Sequence, residues 1–231
     1  CGNLEKVHIA SLDGWLWTEW GNAYANPLSQ GADLYIDGKL TTSIEISSNR
    51  VPDFAFFGYK NLESVYISSG VEWIGYSAFN KCSGLSSITI PESVNYIDSY
   101  AFYYCTGLKT VRFMGDAPEF ADRVNDDNVV YYTQFSGVSA DVYYPCNNST
   151  WTSNVMRDYG GNLTWRADHK YSGGKCTVCG EQLSAPTLST STTSSCGNPK
   201  LTWTAVTGAE EYIVYRRPAD VETYSELART T

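Results

Sequence analysis

The sequence predicts a mainly β protein: a parallel-strand solenoid with 23-residue turns, a C-terminal cap, a linker and an incomplete β-sandwich. Three observations predict it. Ala, Phe, Cys, Gly and Leu recur at an offset of 23, apolar and polar residues alternate over four positions within each period, and the C-terminal segment switches to a different strand pattern.

Composition bounds the alternatives. Of 231 residues 42% are apolar and 18% charged, a balance that suits a folded chain and not a disordered polyanion. The 16 basic against 25 acidic residues give a net charge of −9, the wrong sign for a phosphate-backbone binder, so nucleic acid is not an expected partner. No apolar run approaches the roughly 18 residues that a transmembrane helix needs. The 18 Tyr and 7 Trp favour strands, and seven Cys leave at least one thiol outside any intrachain disulfide.

The first residue is Cys1, followed by neither a charged n-region nor an apolar h-region. Residues 1 to 9 (Cys1-Gly2-Asn3-Leu4-Glu5-Lys6-Val7-His8-Ile9) match the second half of a repeat, with Cys1 in the register of Cys82, so the chain reads as a fragment that opens mid-repeat. Residues 10 to 40 read as an insertion, in which Asp37-Gly38 is a two-residue hairpin signal. Ile44-Glu45-Ile46, Val51 and Ala55-Phe56 then resume the repeat, shortened by two residues.

The regular units follow. Ala78 to Ala101, Cys82 to Cys105 and Leu85 to Leu108 are each separated by 23 positions, and an earlier copy from Ala55-Phe56 to Leu62 has Tyr59 in the Cys position. Val65/Ile67, Ile88/Ile90 and Val111/Phe113 alternate with Ser64/Tyr66, Ser87/Thr89 and Thr110/Arg112, so the first set faces the core and the second faces outward. Leu62, Leu85 and Leu108 are expected to stack as an inner column. Ala78-Phe79 and Ala101-Phe102 are expected in a short helical turn, Phe filling the interior. Such periods belong to leucine-rich solenoids. The run from Ser93 to Leu108, with Ile97-x-x-x-Ala101-Phe102-x-x-Cys105-x-x-Leu108, resembles the BspA-like leucine-rich repeats of bacterial surface proteins. The insertion, with Ala25-Asn26-Pro27-Leu28 and Leu34-Tyr35-Ile36-Asp37-Gly38-Lys39-Leu40, also looks like one found in that family. The resemblance implies an extracellular or cell-surface location and adhesion to host proteins such as fibronectin or fibrinogen, or to other cells.

From Gly115 to Trp165 the 23-residue register is lost, although Val142-Tyr143-Tyr144-Pro145 and Asn162-Leu163-Thr164-Trp165 keep strand character. A solenoid end exposes its core, so this stretch reads as a cap. The expected organisation is repeats over 1–115 with the insertion at 10–40, a cap or flank over 116–166, a linker over 167–184, and a last domain over 185–231. In that last segment Lys200-Leu201-Thr202-Trp203 and Tyr212-Ile213-Val214-Tyr215 look like the B and C strands of a fibronectin type III sandwich. Such a sandwich needs roughly 100 residues, so its later strands are expected beyond Thr231.

Signals for enzyme chemistry are weak. There are two His residues, His8 and His169, and no Gly-x-Ser-x-Gly, His-Glu-x-x-His, Gly-x-Gly-x-x-Gly or P-loop, so the chain reads as non-enzymatic. Its most specific ligand-like cluster is His169-x6-Cys176-Thr177-Val178-Cys179-Gly180, in which Cys-x-x-Cys-Gly is half of a zinc knuckle. A structural zinc on His169, Cys176 and Cys179, a Cys176–Cys179 disulfide, and unbridged thiols are the three readings. Zinc needs a fourth ligand, for which Cys196 is the nearby thiol in sequence.

Cys82 and Cys105 read as buried thiols, because equivalent side chains on stacked turns run parallel and do not converge to a bridge. Trp15, Trp17 and Trp20 read first as packing for the insertion and second as a platform for sugar rings. Asp122, Asp126, Asp127 and Asn128 lack EF-hand spacing and read as a solvated loop.

The functional expectation is a secreted or cell-surface binding protein whose outward face carries Lys6, His8, Tyr66, Thr89 and Arg112. Tyr66 and Arg112 are the favoured anchors, because interfaces are enriched in Tyr and Arg. The expected partner is a host extracellular or cell-surface protein, or a glycan. The alternative is a carbohydrate-binding accessory module of an extracellular glycan-processing protein.

Overall fold

The computed structural model describes residues 4–124, 130–172, 175–184, 186–192, 199–206, 209, 211–216 and 225–230. Cys1, Asp126, Asp127, Asn128 and Cys196 lie outside the described residues. The chain divides into two compact units, Cys1–Asp168 and His169–Thr231.

The first unit begins with strand β1 (Lys6–Ile9) and helix α1 (Leu12–Leu16), followed by 3-10 turns at Ala23–Ala25 and Pro27–Gln30. Strands β2 (Asp33–Ile36) and β3 (Lys39–Leu40) come next. They form the hairpin expected at Asp37-Gly38, whose φ values of 49° and 74° suit a tight turn between twisted strands. Within residues 10–40, β2 also pairs in parallel with β1, Val7 opposite Leu34, so this stretch supplies the central strand of a three-stranded sheet, β1-β2-β3, as well as a surface excursion.

Each repeat then contributes one four-residue and one two-residue strand. These are β4 (Ser43–Ile46) with β5 (Arg50–Val51), β6 (Ser64–Ile67) with β7 (Trp73–Ile74), β8 (Ser87–Ile90) with β9 (Tyr96–Ile97), and β10 (Thr110–Phe113) with β11 (Glu119–Phe120). The two-residue strands pair in parallel and in register throughout, and the four-residue strands do so within the pairs β4–β6 and β8–β10, with β6 and β8 adjacent. Ile44 faces Val65 and Ile88 faces Val111 along one inner row, while Val51, Ile74, Ile97 and Phe120 form another. Leu62, Leu85 and Leu108 are fully buried at equivalent places in successive turns.

The Ala-Phe segments are tight turns and not the helical turns expected, for a reason visible in their amides. The N–H groups of Ala78, Asn80 and Cys82 donate within the turn, to the carbonyls of Gly75, Ser77 and Phe79. Those of Ser77, Phe79 and Lys81 donate to Ser99, Ala101 and Tyr103 of the next turn. An α-helix needs every amide for its own i→i−4 ladder, so half of the required donors are committed to the neighbouring turn. Residues with positive φ bracket each segment: Phe54 and Gly58, Ser77 and Lys81, Tyr100 and Tyr104. Between them Phe56, Phe79, Phe102 and Phe135 stack face to face, 5.2–5.6 Å apart with planes within 10°.

The parallel ladder does not stop where the 23-residue register does. An antiparallel pair, β12 (Arg123–Val124) with β13 (Val130–Tyr131), interrupts the spacing. Then β14 (Ser139–Pro145) pairs in parallel with β10, and β15 (Asn162–Asp168) with β14. Phe135 continues the Phe column 33 positions after Phe102. The stretch read as a cap over 116–166 thus holds two further ladder strands, and the extra residues between Phe102 and Phe135 are what hide them from a fixed-period search.

The start of the repeats is fastened by the residues before them. Asn26, fully buried, donates from Nδ2 to the carbonyls of Phe54 (2.7 Å) and Ala55 (2.9 Å) and accepts from the Leu28 amide. Trp15 Nε1 donates to Ala55 at 2.8 Å. Tyr59 replaces the repeat's Cys because its longer side chain reaches Thr41, to whose carbonyl its hydroxyl donates at 2.6 Å.

The second unit contains β16 (Tyr171–Ser172) and β17 (Lys175–Cys176) as one antiparallel pair, β18 (Leu188–Thr192) with β19 (Pro199–Trp203) as another, and β20 (Tyr212–Arg216) with β21 (Ser225–Thr230) as a third. Trp203 and Tyr212 are in ring contact at 5.7 Å.

Candidate functional site

Parallel pairing with alternating side chains places one outward residue of each strand about 4.8 Å from the next. Along one such row Glu45 lies opposite Tyr66, Thr89 opposite Arg112, Arg112 opposite Tyr143 and Tyr143 opposite Arg166. The two expected anchors differ in state. Tyr66 is 64% exposed, opposite the exposed Glu45 on the adjacent strand. Arg112 is engaged, its guanidinium 4.6 Å from the Tyr143 ring centroid and ion-paired with Asp168. Arg166 pairs with Asp141 at 2.9 Å. Thr89 is exposed beside them.

Lys6 and His8 belong elsewhere, on β1. The His8 ring stacks on Tyr35 at 4.7 Å, and Lys6 Nζ lies 5.6 Å from the same ring. The five expected surface residues therefore form two clusters, one around Tyr35 and one on the ladder row. Tyr143, Arg166, Asp141 and Asp168 were not foreseen. The alternation in Val142-Tyr143-Tyr144 was the available signal, but the lost period removed the register that would have placed it beside Arg112.

Of the three clustered tryptophans, Trp15 and Trp20 stay in ring contact at 4.7 Å and Trp17 turns outward. Trp15 is buried and packs the excursion onto the repeats, whereas Trp17 is 71% exposed. Trp20 lines a cleft of about 280 Å³ with Trp73, Arg50, Glu19 and Asp53. Its indole nitrogen is buried with no hydrogen-bond acceptor among the described residues.

The cysteine–histidine cluster is brought together within the second unit. The pair β16–β17 sets Tyr171 opposite Cys176, and the loop Cys176–Gly180 closes through Gly180 N to Cys176 O at 3.0 Å, with Gly180 at φ 78°. One ligand atom each of His169, Cys176 and Cys179 lies within 4.8 Å of the others. Cys179 Sγ is 3.3 Å from His169 Nδ1, and His169 Nε2 is 3.2 Å from the Glu181 carboxylate. The backbone hydrogen bond from Cys179 first, then those from the Val178 backbone, the His169 ring and the Lys170 backbone, lower the Cys176 thiol to about 5, against the opposing effect of burial. Neither cysteine is disulfide-bonded.

Residues 35–148 match the family model for the BspA type leucine rich repeat region, in six copies. The chain is similar to a leucine-rich repeat protein from Bacteroides ovatus seen in a crystal structure. The TM-score is 0.38 at 18% identity, and the match covers 72% of this chain but 37% of that one, little more than a third of its length. No curated protein matches. Among the described residues no helix is long and apolar enough to cross a membrane.

Proposed function

We propose that the chain, whose residues 35–148 carry BspA type leucine-rich repeats, is part of a non-enzymatic adhesion protein at the bacterial surface, binding a host extracellular protein through the outward row of its ladder. The observation that carries this reading is Tyr66, a large aromatic ring 64% exposed on a strand of the ladder, opposite the exposed Glu45. A strand-mounted ring loses little conformational entropy on binding, and aromatic anchors of this kind dominate interface energies. Arg112, Tyr143 and Arg166 extend the row as a self-paired polar border. Surface plasmon resonance against purified fibronectin, fibrinogen and other matrix proteins tests it. Binding to one of them, weakened about tenfold or more by Tyr66→Ala, is the expected result; no binding to the panel, or binding indifferent to Tyr66→Ala, defeats it.

A second reading, carbohydrate binding, draws on the cleft between Trp20 and Trp73. Sugar rings pack on indole faces, and Trp73, 42% exposed, lines the cleft together with the polar side chains of Arg50, Glu19 and Asp53. A glycan array separates the readings, since glycan capture lost in Trp73→Ala and retained in Tyr66→Ala selects the second.

A further inference from the structure

We propose that His169 Nδ1, Cys176 Sγ and Cys179 Sγ are three ligands of a structural zinc ion that holds residues 169–182 in their fold. The geometry carries it. Around a tetrahedral zinc with bonds of about 2.0–2.3 Å, neighbouring ligand atoms sit about 3.3–3.8 Å apart. The His169 Nδ1 to Cys179 Sγ distance is 3.3 Å, and all three ligand atoms fall within 4.8 Å.

Two further features belong to a metal site. The Glu181 carboxylate lies 3.2 Å from His169 Nε2, on the side of the ring away from the thiols, while Nδ1 is the nitrogen near Cys179 Sγ. Carboxylates in this position orient ligating imidazoles and raise their basicity. The Cys-x-x-Cys-Gly loop also folds as a knuckle, the Cys176 amide donating to Glu181 at 2.7 Å and Gly180 taking the left-handed conformation that closes the turn.

The hairpin at the centre of the segment is small: its strands are two residues each, Tyr171 is half-buried, Val178 is 47% exposed, and Cys176 is buried. A two-stranded hairpin of that size does not hold itself together in water. Metal binding supplies folding free energy in such small elements.

The test uses the full chain, purified under reducing conditions without chelator. Elemental analysis should find about one zinc per chain, lost in the C176S/C179S double variant. Glu181→Ala, which removes no ligand, should weaken zinc affinity about 10–100-fold. Cobalt substitution should give tetrahedral d–d bands and thiolate-to-cobalt absorption, and chelation should expose Lys170 and Lys175 to trypsin. A cobalt spectrum with two or with three thiolates meets the assignment. Zinc near zero with no cobalt bands from the reduced wild-type chain overturns the proposal, as does zinc unchanged in the double variant.

Discussion

The Sγ of Cys105 donates to the carbonyl oxygen of Phe79, one turn back, at 2.9 Å. Cys82 repeats the contact on Phe56 at 3.1 Å. These thiols are fully buried and unbridged, each satisfied by the backbone beneath it. Burial raises the Cys105 thiol to about 12 and that of Cys82 well above its ordinary value.

That burial sets a pH dependence. The unfolded chain loses these protons from about pH 8.5, while the folded chain keeps them, so the folded state binds more protons in between. Stability contributed by each thiol is complete below about pH 8.5 and falls as pH rises towards 12, by about 1.4 kcal/mol per unit for one group. Urea denaturation of the wild type and of Cys105→Ala at pH 8 and pH 10 checks this. The variant should be less stable at pH 8 and lose less on going to pH 10; mass spectrometry should find no Cys82–Cys105 linkage.

Phe102→Ala should destabilise the first unit by about 3–5 kcal/mol. The ring is fully buried between Phe79 at 5.6 Å and Phe135 at 5.2 Å, so truncation leaves a void open to two turns. Chemical denaturation measures the loss, and Phe102→Leu should recover more than half of it.

Gly107→Ala should cost about 1–3 kcal/mol through overpacking. A Cβ at this position would sit 2.2 Å from the Ser83 carbonyl oxygen, and one at Gly84 would sit 2.3 Å from that of Lys60. The recurrence of Gly at an offset of 23 thus records a backbone approach between turns. A thermal midpoint unchanged in Gly107→Ala would contradict this.

Tyr66→Ala and Arg112→Ala should separate binding from stability. Tyr66 is exposed, so its loss should move stability by no more than about 0.5 kcal/mol. Arg112 bridges Tyr143 on β14 and Asp168 on β15, and removing it should cost about 0.5–1.5 kcal/mol, partly relieved by salt in the wild type. Thermal melts of both variants at low and high ionic strength check the difference.

The sequence by itself determined the repeat. Period, inward column and outward row follow from side chains that must alternate across strands and recur once per turn, so Val65, Ile88 and Val111 could be placed on one face without coordinates. The local spacing of His169, Cys176 and Cys179 was legible in the same way, because a hairpin and a tight turn are short-range. What only the tertiary structure decided depends on contacts between residues far apart in the chain. Arg112 meets Asp168, 56 positions on, across strands that no period connected, and so turned from a free anchor into a paired one. The Ala-Phe segments lost their helical form because alternate amides bond to the next turn, a demand that no single repeat contains. Trp73 met Trp20 at one cleft for the same reason: local pattern fixes which way a side chain points, and only stacking fixes what it faces.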